Sequence, residues 1–255
     1  MKYLLMFGEL LKKNKILIIG GTGNLGKALK NNTFFKNCYF PKKQKLNLLN
    51  KFHIKKYLLE KKIKLIINAA AIARMRECEN NKPLAYKINV IGCRNLINSI
   101  KEIDKNIKLI HISTDGVYAS LKGNYKENSK LKPYNYYGLT KLNAEKIVKK
   151  LKNYLIIRTR FFNKKKIIFN TAADDSYSSA IEVKRLVNII KILIIKKISG
   201  VINVGGKRIS DYNLYKKYKK NIRKCKRKDI QSKINFKISK DASLNCDILK
   251  KIMKK

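Results

Sequence analysis

Acid is scarce in this 255-residue chain: Asp and Glu number 16 against 61 Lys and Arg, a formal net charge of +45. A field of that sign attracts nucleic acid, anionic membrane or phosphorylated ligands. The excess is mostly lysine, however, and it is spread along the chain rather than gathered in one block. Lys, Asn, Ile and Tyr rise together, as an A+T-rich coding sequence would make them, so compositional drift is favoured over selected polyanion binding. Cysteine is sparse and ill-arranged. Cys38, Cys78, Cys93, Cys225 and Cys246 form an odd, scattered set without a Cys-x-x-Cys pair, which speaks against a disulfide framework and against a zinc or other metal site, and fits a reducing cytoplasm. No uncharged apolar run reaches about 18 residues, so no membrane span is expected. Residues 1–11 are apolar but short, broken by Glu9 and without a small-residue cleavage site, and are not expected to act as a signal peptide. Internal repeats and Gly/Ser-rich linkers are also missing.

What is present is an ordinary globular share of apolar residues, 45%, in a chain long enough for one α/β domain with a small second lobe. Short apolar runs at residues 15–19, 38–40, 64–68, 107–112 and 154–157 predict strands, the second of them brief. Helical spacing predicts helices over residues 25–30, 52–61, 83–103 and 134–151. This alternation predicts a Rossmann-type doubly wound parallel sheet. After about residue 160 the pattern loosens, although a helix at 181–195 and a strand at 200–204 are expected. The division that follows is a dinucleotide-binding domain over residues 1–160 and a small, shortened substrate lobe with a basic tail over 161–255.

Gly20-Gly-Thr-Gly-Asn-Leu-Gly26 lies directly between the first strand and the first helix. A glycine motif alone is weak, but this placement is the one that binding a dinucleotide demands. Gly20 permits the tight turn, Gly23 lets backbone approach a pyrophosphate, and Gly26 lets helix and strand pack closely. The acidic residue that usually holds a ribose 2′-hydroxyl about 20 residues further on is missing, because no Asp or Glu occurs between Glu9 and Glu60. Lys42 and Lys43 stand there instead and would suit a 2′-phosphate. NADP(H) is therefore preferred, with NAD(H) as the alternative.

Tyr137-Gly-Leu-Thr-Lys141 places a phenol and an ammonium on one helix face. Reducing a carbonyl takes a hydride and a proton, and a phenol becomes a usable acid–base group when a nearby ammonium and bound cofactor favour the phenolate. In a chain rich in both residues the pair alone means little. Two further features lift it: Ser113-Thr114-Asp115 immediately after the fourth strand, at the carboxyl edge where ligands of such sheets collect, and the small residues of Asn68-Ala-Ala-Ala71 ending the third, where a cofactor can lie against the backbone.

These residues resemble the extended short-chain dehydrogenase/reductase family, and within it the dTDP-4-dehydrorhamnose reductases and related sugar-nucleotide-binding proteins. The likeness runs from about residue 15 to 160 and includes Cys78-Glu79, Ile88-Asn-Val-Ile-Gly92, Tyr125-Lys-Glu127, Pro133 and Ile156-Ile-Arg-Thr159. It implies Tyr137 as proton donor, Lys141 as the holder of the nicotinamide ribose that depresses the tyrosine pKa, and Thr114, with Ser113 beside it, as the group orienting the carbonyl. Asn89 would support the site from its helix. The implied cofactor set is Gly20, Gly23, Asn24, Leu25, Gly26, Lys42, Lys43, Asn68, Ala69, Ala70, Ser113, Tyr137 and Lys141; the implied substrate is a nucleotide sugar, with a homodimer as the expected assembly. Related dehydratases carry an Asp-Glu pair after the threonine; here Gly116 follows Asp115, which disfavours dehydration but leaves an epimerase open. The stretch between Thr159 and Ile181 is shorter than in the family, whereas Gly200-Val-Ile-Asn-Val-Gly-Gly206 matches its later strand.

The leading expectation is an NAD(P)-dependent reductase of a 4-keto-6-deoxy sugar nucleotide in polysaccharide precursor synthesis. The alternative is a non-catalytic nucleotide-binding regulatory subunit of the same fold. The basic segment 207–228, with Tyr212, Tyr215 and Tyr218, is expected to be a solvated amphipathic helix rather than a nucleic-acid-stacking surface. His111, inside the fourth strand, is expected to be a satisfied core residue, and His53 belongs to no constellation.

Overall fold

The computed structural model describes residues 15–254; the apolar stretch at residues 1–11 lies outside them. The first half alternates strand and helix: β1 (Ile16–Ile19), α1 (Asn24–Lys30), α2 (Lys51–Glu60), β2 (Leu65–Asn68), α3 (Met75–Asn80), α4 (Lys82–Tyr86), α5 (Gly92–Ile103), β3 (Lys108–Thr114), α6 (Tyr136–Val148) and β4 (Tyr154–Thr159). The second half returns α7 (Val183–Ile195) and β5 (Gly200–Val204) to the same sheet. All five strands are parallel, in the order β1-β2-β3-β4-β5.

Every residue of β1 and β2 is buried, as expected of parallel strands covered on both faces. Their side chains alternate between two cores. Ile16, Ile18, Ile67, Ile110, Leu155 and Ile157 pack with α1 and α7, while Leu17, Ile19, Ile66, Leu109 and Ile156 pack with α2, α5 and α6. In α7, Leu186, Val187, Ile190, Leu193 and Ile194 form the buried stripe, each such side chain contributing roughly 1.5–3 kcal/mol when fully buried.

Four expectations are corrected. The strand predicted at 38–40 is a single bridge, Leu17 to Tyr39, held by Ile18 N donating to Tyr39 O at 2.8 Å and Tyr39 N donating to Ile16 O at 2.9 Å. Pro41 follows at once and has no N–H to continue a ladder. The helix predicted over 83–103 is broken by a π turn at Lys87–Ile91. Ser113 and Thr114 are the last residues of β3, not the start of the loop after it. Finally, the segment 207–228 is not one helix. It divides into a short strand Ile209–Ser210, the helix Asp211–Lys216 and a strand Arg223–Cys225, and the two strands pair with Tyr177–Ser178 and Thr171–Ala173.

The Tyr39 bridge lies on the side of β1 opposite to β2, so the connections leave β1 in opposite directions. This reversal is the switch point at whose carboxyl edge doubly wound sheets open a crevice. Residues of the short paired strands, Phe161 and Thr171–Ala173, line the crevice at that edge. No helix among the described residues is long and apolar enough to cross a membrane.

Candidate active site

The crevice is a cleft of about 710 Å³. Its floor is the glycine turn. Gly20 has φ +91°, where a side chain is strained, and a Cβ there would lie 2.7 Å from the Ala69 backbone. A Cβ on Gly26 would meet Gly20 O at 2.2 Å, so α1 rests directly on the turn. At Gly23 the closest atom would be 3.4 Å away, and this exposed backbone faces the cleft, leaving room for a close ligand. The turn therefore fits a dinucleotide pyrophosphate.

Of the residues expected from sequence, Gly20, Gly23, Asn24, Leu25, Gly26, Ala69, Ser113, Thr114, Tyr137 and Lys141 line this one cleft. Asn68 is buried at the end of β2, its Oδ1 accepting from Ala70 N at 3.2 Å. Lys42 and Lys43 are exposed on the loop beyond the Tyr39 bridge and do not line the cleft.

Local structure explains how Tyr137 is aimed. Asn135 caps α6 by accepting from Gly138 N at 2.9 Å, worth about 1 kcal/mol. Glu79 Oε1 accepts from Tyr136 N at 2.7 Å, which gives the Cys78-Glu79 motif a structural role. The first turn of α6 is pressed so closely on the turn after β3 that a Cβ on Gly138 would lie 2.3 Å from Gly116 O. Asn89, at the π turn, accepts from Ile72 N at 2.8 Å and donates to Ile72 O and Thr140 Oγ1, both at 3.0 Å. It thereby ties the loop after β2 to α6.

Tyr137 hydrogen-bonds Thr114, and Thr114 Oγ1 accepts from Gly116 N at 3.1 Å and donates to Asp115 Oδ1 at 3.1 Å. Burial, and then the Asp115 carboxylate, hold the Tyr137 phenol above its ordinary range. Desolvation therefore outweighs the groups that help the phenolate, and the tyrosine carries its proton. Lys141 is buried, and burial brings its pKa down to about 8, with Cys93 and Glu145 opposing the fall. Its Nζ lies 3.1 Å from His111 Nε2.

Behind these groups Arg158 and Glu145, each 1% exposed, form an ion pair at 2.7 Å. Ser113 Oγ donates to Glu145 Oε1 at 2.5 Å, so Ser113 is engaged from behind rather than free for a ligand.

Sequence reasoning missed the opposite wall. Arg160 Nε pairs with Asp115 Oδ2 at 2.7 Å, and Asp211 and Tyr215 join them in the lining. Burial raises both carboxyl pKa values while Arg160 opposes it, and burial raises Tyr215 to about 12. The Tyr134 hydroxyl and Thr159 Oγ1 are buried without a hydrogen-bond partner although both residues line the cleft. Phe169 also lines the cleft, 49% exposed and packed on Tyr215 at 5.6 Å between centroids. The available signal was Arg158-Thr-Arg160 at a strand end, in a chain whose other cations are mostly lysine.

The RmlD substrate binding domain family matches residues 14–171. Methionine adenosyltransferase 2 subunit beta of Bos taurus is 33% identical over 143 residues, 52% of this chain and 42% of that protein. The chain spans about half the length of the curated relatives it matches. Two crystal structures are similar over nearly the whole chain. One, a hypothetical dTDP-4-dehydrorhamnose reductase from Sulfolobus tokodaii, is 31% identical with a TM-score of 0.79, covering 93% of this chain and 94% of that one. The other, a dTDP-4-dehydrorhamnose reductase from Bacillus anthracis str. Ames in complex with NADP, is 25% identical with a TM-score of 0.83, covering 92% and 91%.

Proposed function

The chain belongs to the RmlD substrate binding domain family, within the extended short-chain dehydrogenase/reductase type, and on that premise we propose that it is an NADP(H)-preferring reductase of a 4-keto-6-deoxy sugar nucleotide. The observation that carries this is the convergence of Thr114, Tyr137 and Lys141 on the cleft floored by the glycine turn.

Gly20, Gly23, Asn24, Leu25 and Gly26 would hold the pyrophosphate, Ala69 and Ala70 would let the cofactor lie against the end of β2, and Lys42 and Lys43, outside the cleft, would meet a 2′-phosphate only where it projects beyond the lining toward their loop. A bound nicotinamide supplies the hydride. Tyr137, kept neutral by burial, gives its proton to the carbonyl oxygen as negative charge develops there. Thr114, beside Tyr137 in the cleft, would turn its single hydroxyl proton from Asp115 Oδ1 to that oxygen and hold it on the same side. Lys141, one helical turn from Tyr137, carries a charge that stabilises the phenolate left behind. The unpaired hydroxyls of Tyr134 and Thr159, with Asp211, offer partners for a polyhydroxylated ring. Residues up to about 160 thus carry the cofactor half, and residues 161–255 the substrate lobe, apart from α7 and β5.

The test mixes purified full-length protein with NADPH and dTDP-4-dehydrorhamnose and follows loss of reduced cofactor. Tyr137→Phe is expected to lower the rate by roughly 10²–10⁴-fold. An equally fast Tyr137→Phe variant, or a wild type that neither oxidises NADPH nor is thermally stabilised by it, removes the proposal. A regulatory, non-catalytic role is favoured by one observation, the 33% identity to a methionine adenosyltransferase beta subunit. Transfer of labelled hydride to any sugar nucleotide decides against it.

A further inference from the structure

The cleft accounts for Thr114, Tyr137 and Lys141 but not for the imidazole that touches Lys141. His111 sits in the middle of β3, 1% exposed, and Lys141 reaches it from α6, 3% exposed. The two nitrogens are 3.1 Å apart, hydrogen-bonding distance between two side chains that are both nearly inaccessible. A buried ammonium needs acceptors. Titratable groups act on Lys141 from each neighbouring element: Cys93 from α5, Glu145 one turn away on α6, and His111 from β3; Tyr137 stands one turn the other way on α6. Burial raises the Cys93 thiol to about 11, so it is uncharged. Both oxygens of Glu145 are engaged by Arg158 and one also by Ser113. Tyr137 is turned to Thr114.

His111 Nε2 is the acceptor left. It can serve only as a neutral ring with its proton on Nδ1, and burial and the Lys141 charge hold the imidazole well below its ordinary pKa. On the far side of the ring, Asn68 Nδ2 lies 3.5 Å from Nδ1; with the proton on Nδ1 both nitrogens are donors, so this is a packing contact and not a hydrogen bond, and it wedges the imidazole between the end of β2 and α6.

We propose that His111 is a positioning residue: its neutral Nε2 accepts from Lys141 and keeps that ammonium both charged and aimed along the cleft beside Tyr137. The role rests on the reductase function of the same cleft, but the contact can be tested separately from it. Removing the acceptor takes from the ammonium the side-chain partner it has, so Lys141 should lose its proton at lower pH. Glutamine, whose amide oxygen can replace Nε2, should restore the wild-type behaviour, whereas phenylalanine, of similar volume, should not.

The experiment is competitive labelling of full-length protein with acetic anhydride across a pH series, with the Lys141 peptide quantified by mass spectrometry and no substrate present. Wild type should half-titrate near pH 8, in line with the value of about 8 for Lys141. His111→Phe should fall below it by roughly one pH unit or more, and His111→Gln should follow wild type. If His111→Phe does not fold, as judged by circular dichroism, His111→Asn takes its place, since its shorter amide cannot span the gap. Coincident titration of wild type and the acceptor-less variant overturns the proposal. Because no turnover is needed, an inactive wild type would sink the reductase function and leave this contact standing. If the wild type is active, the alkaline limb of its rate profile should move to lower pH in His111→Phe and return in His111→Gln.

Discussion

Arg158→Met is the sharpest test of how the cleft is held from behind. Arg158 is among the largest fully buried side chains. Its Nε donates to Glu145 Oε1 and Oε2 at 3.0 and 3.2 Å, Nη2 to Oε2 at 2.7 Å, and Nη1 to Tyr118 Oη at 2.7 Å and Glu127 O at 2.9 Å. Methionine fills much of the volume but supplies none of these donors. Glu145 would keep only Ser113 among the donors it now has, and removing one partner of a buried pair costs about 3–5 kcal/mol. The Glu127 carbonyl also loses its donor, at about 1 kcal/mol. Against a total stability of about 5–15 kcal/mol, a loss near 4 kcal/mol is a large fraction. With a urea slope of about 3 kcal/mol/M, the midpoint should fall by roughly 1–1.5 M at constant slope. The double variant Glu145→Leu/Arg158→Met removes both charges and should recover most of the loss, because apolar replacement of a buried pair is often neutral; the cycle should then show a coupling of about 3 kcal/mol. A single-variant loss below about 1 kcal/mol, or a double variant as unstable as the sum of its singles, would refute the assignment of this pair as a buried, mutually dependent unit.

Lys141→Met should abolish turnover yet stabilise the fold at neutral pH. The folded pKa lies below the unfolded one, so burying the charge costs the full amount below about pH 8 and progressively less up to 10.5, where both states are neutral. A fall from 10.5 to about 8 corresponds to about 3 kcal/mol, so urea midpoints should favour the variant at pH 7 and converge with wild type as pH climbs; no gain at pH 7 contradicts this. Replacing Lys42 and Lys43 together by alanine should weaken NADPH binding roughly tenfold, the size of one lost charge-assisted bond, and spare NADH in calorimetry; equal effects on both cofactors would remove the two lysines from the site. Gly26→Ala forces a methyl to within 2.2 Å of Gly20 O, and should cost about 1–3 kcal/mol and lose NADPH-induced thermal stabilisation; retention of both would show that the turn relaxes freely.

The elements that sequence alone revealed are those whose signal is local. Ile16–Ile19 and Leu65–Asn68 are short apolar runs flanked by glycine or alanine, and only a sheet covered on both faces hides every one of their residues. Tyr137 and Lys141 are legible because four residues is one helical turn. The parts that escaped depend on partners far along the chain. Asp115 and Asp211 meet across Arg160 only once the sheet is assembled, and Tyr215 faces Phe162 and Phe169 rather than solvent, so the alternation of Lys and Tyr in 207–228 suggested a helix that tertiary pairing overrides. His111 was legible as buried and strand-borne, while its contact with Lys141, 30 positions away, was not. The strand at 38–40 failed for a local reason, Pro41.

The scarcity of acid makes the place of each carboxylate informative. With 16 acidic against 61 basic side chains, a buried carboxylate could find lysine almost anywhere. Yet among the described residues the three that are nearly inaccessible and ion-paired, Asp115, Glu145 and Asp241, pair with Arg160, Arg158 and Arg208. Glu145 shows why. Three of its contacts are separate N–H donations from one guanidinium, a planar fork that an ammonium cannot present and that is less costly to strip of water. Lysine instead predominates where the pairs are solvent-exposed, as in Lys56–Glu60 and Lys250–Asp247, which contribute little. The +45 charge and the cleft therefore answer to different constraints. Lysine accumulates where hydration makes its identity nearly neutral, and arginine stands where geometry requires it. Lys141 is the exception inside the cleft, and that is consistent with its proposed work: a compact ammonium whose pKa burial can shift suits a site that stabilises a transient phenolate, where a permanently charged guanidinium would not respond.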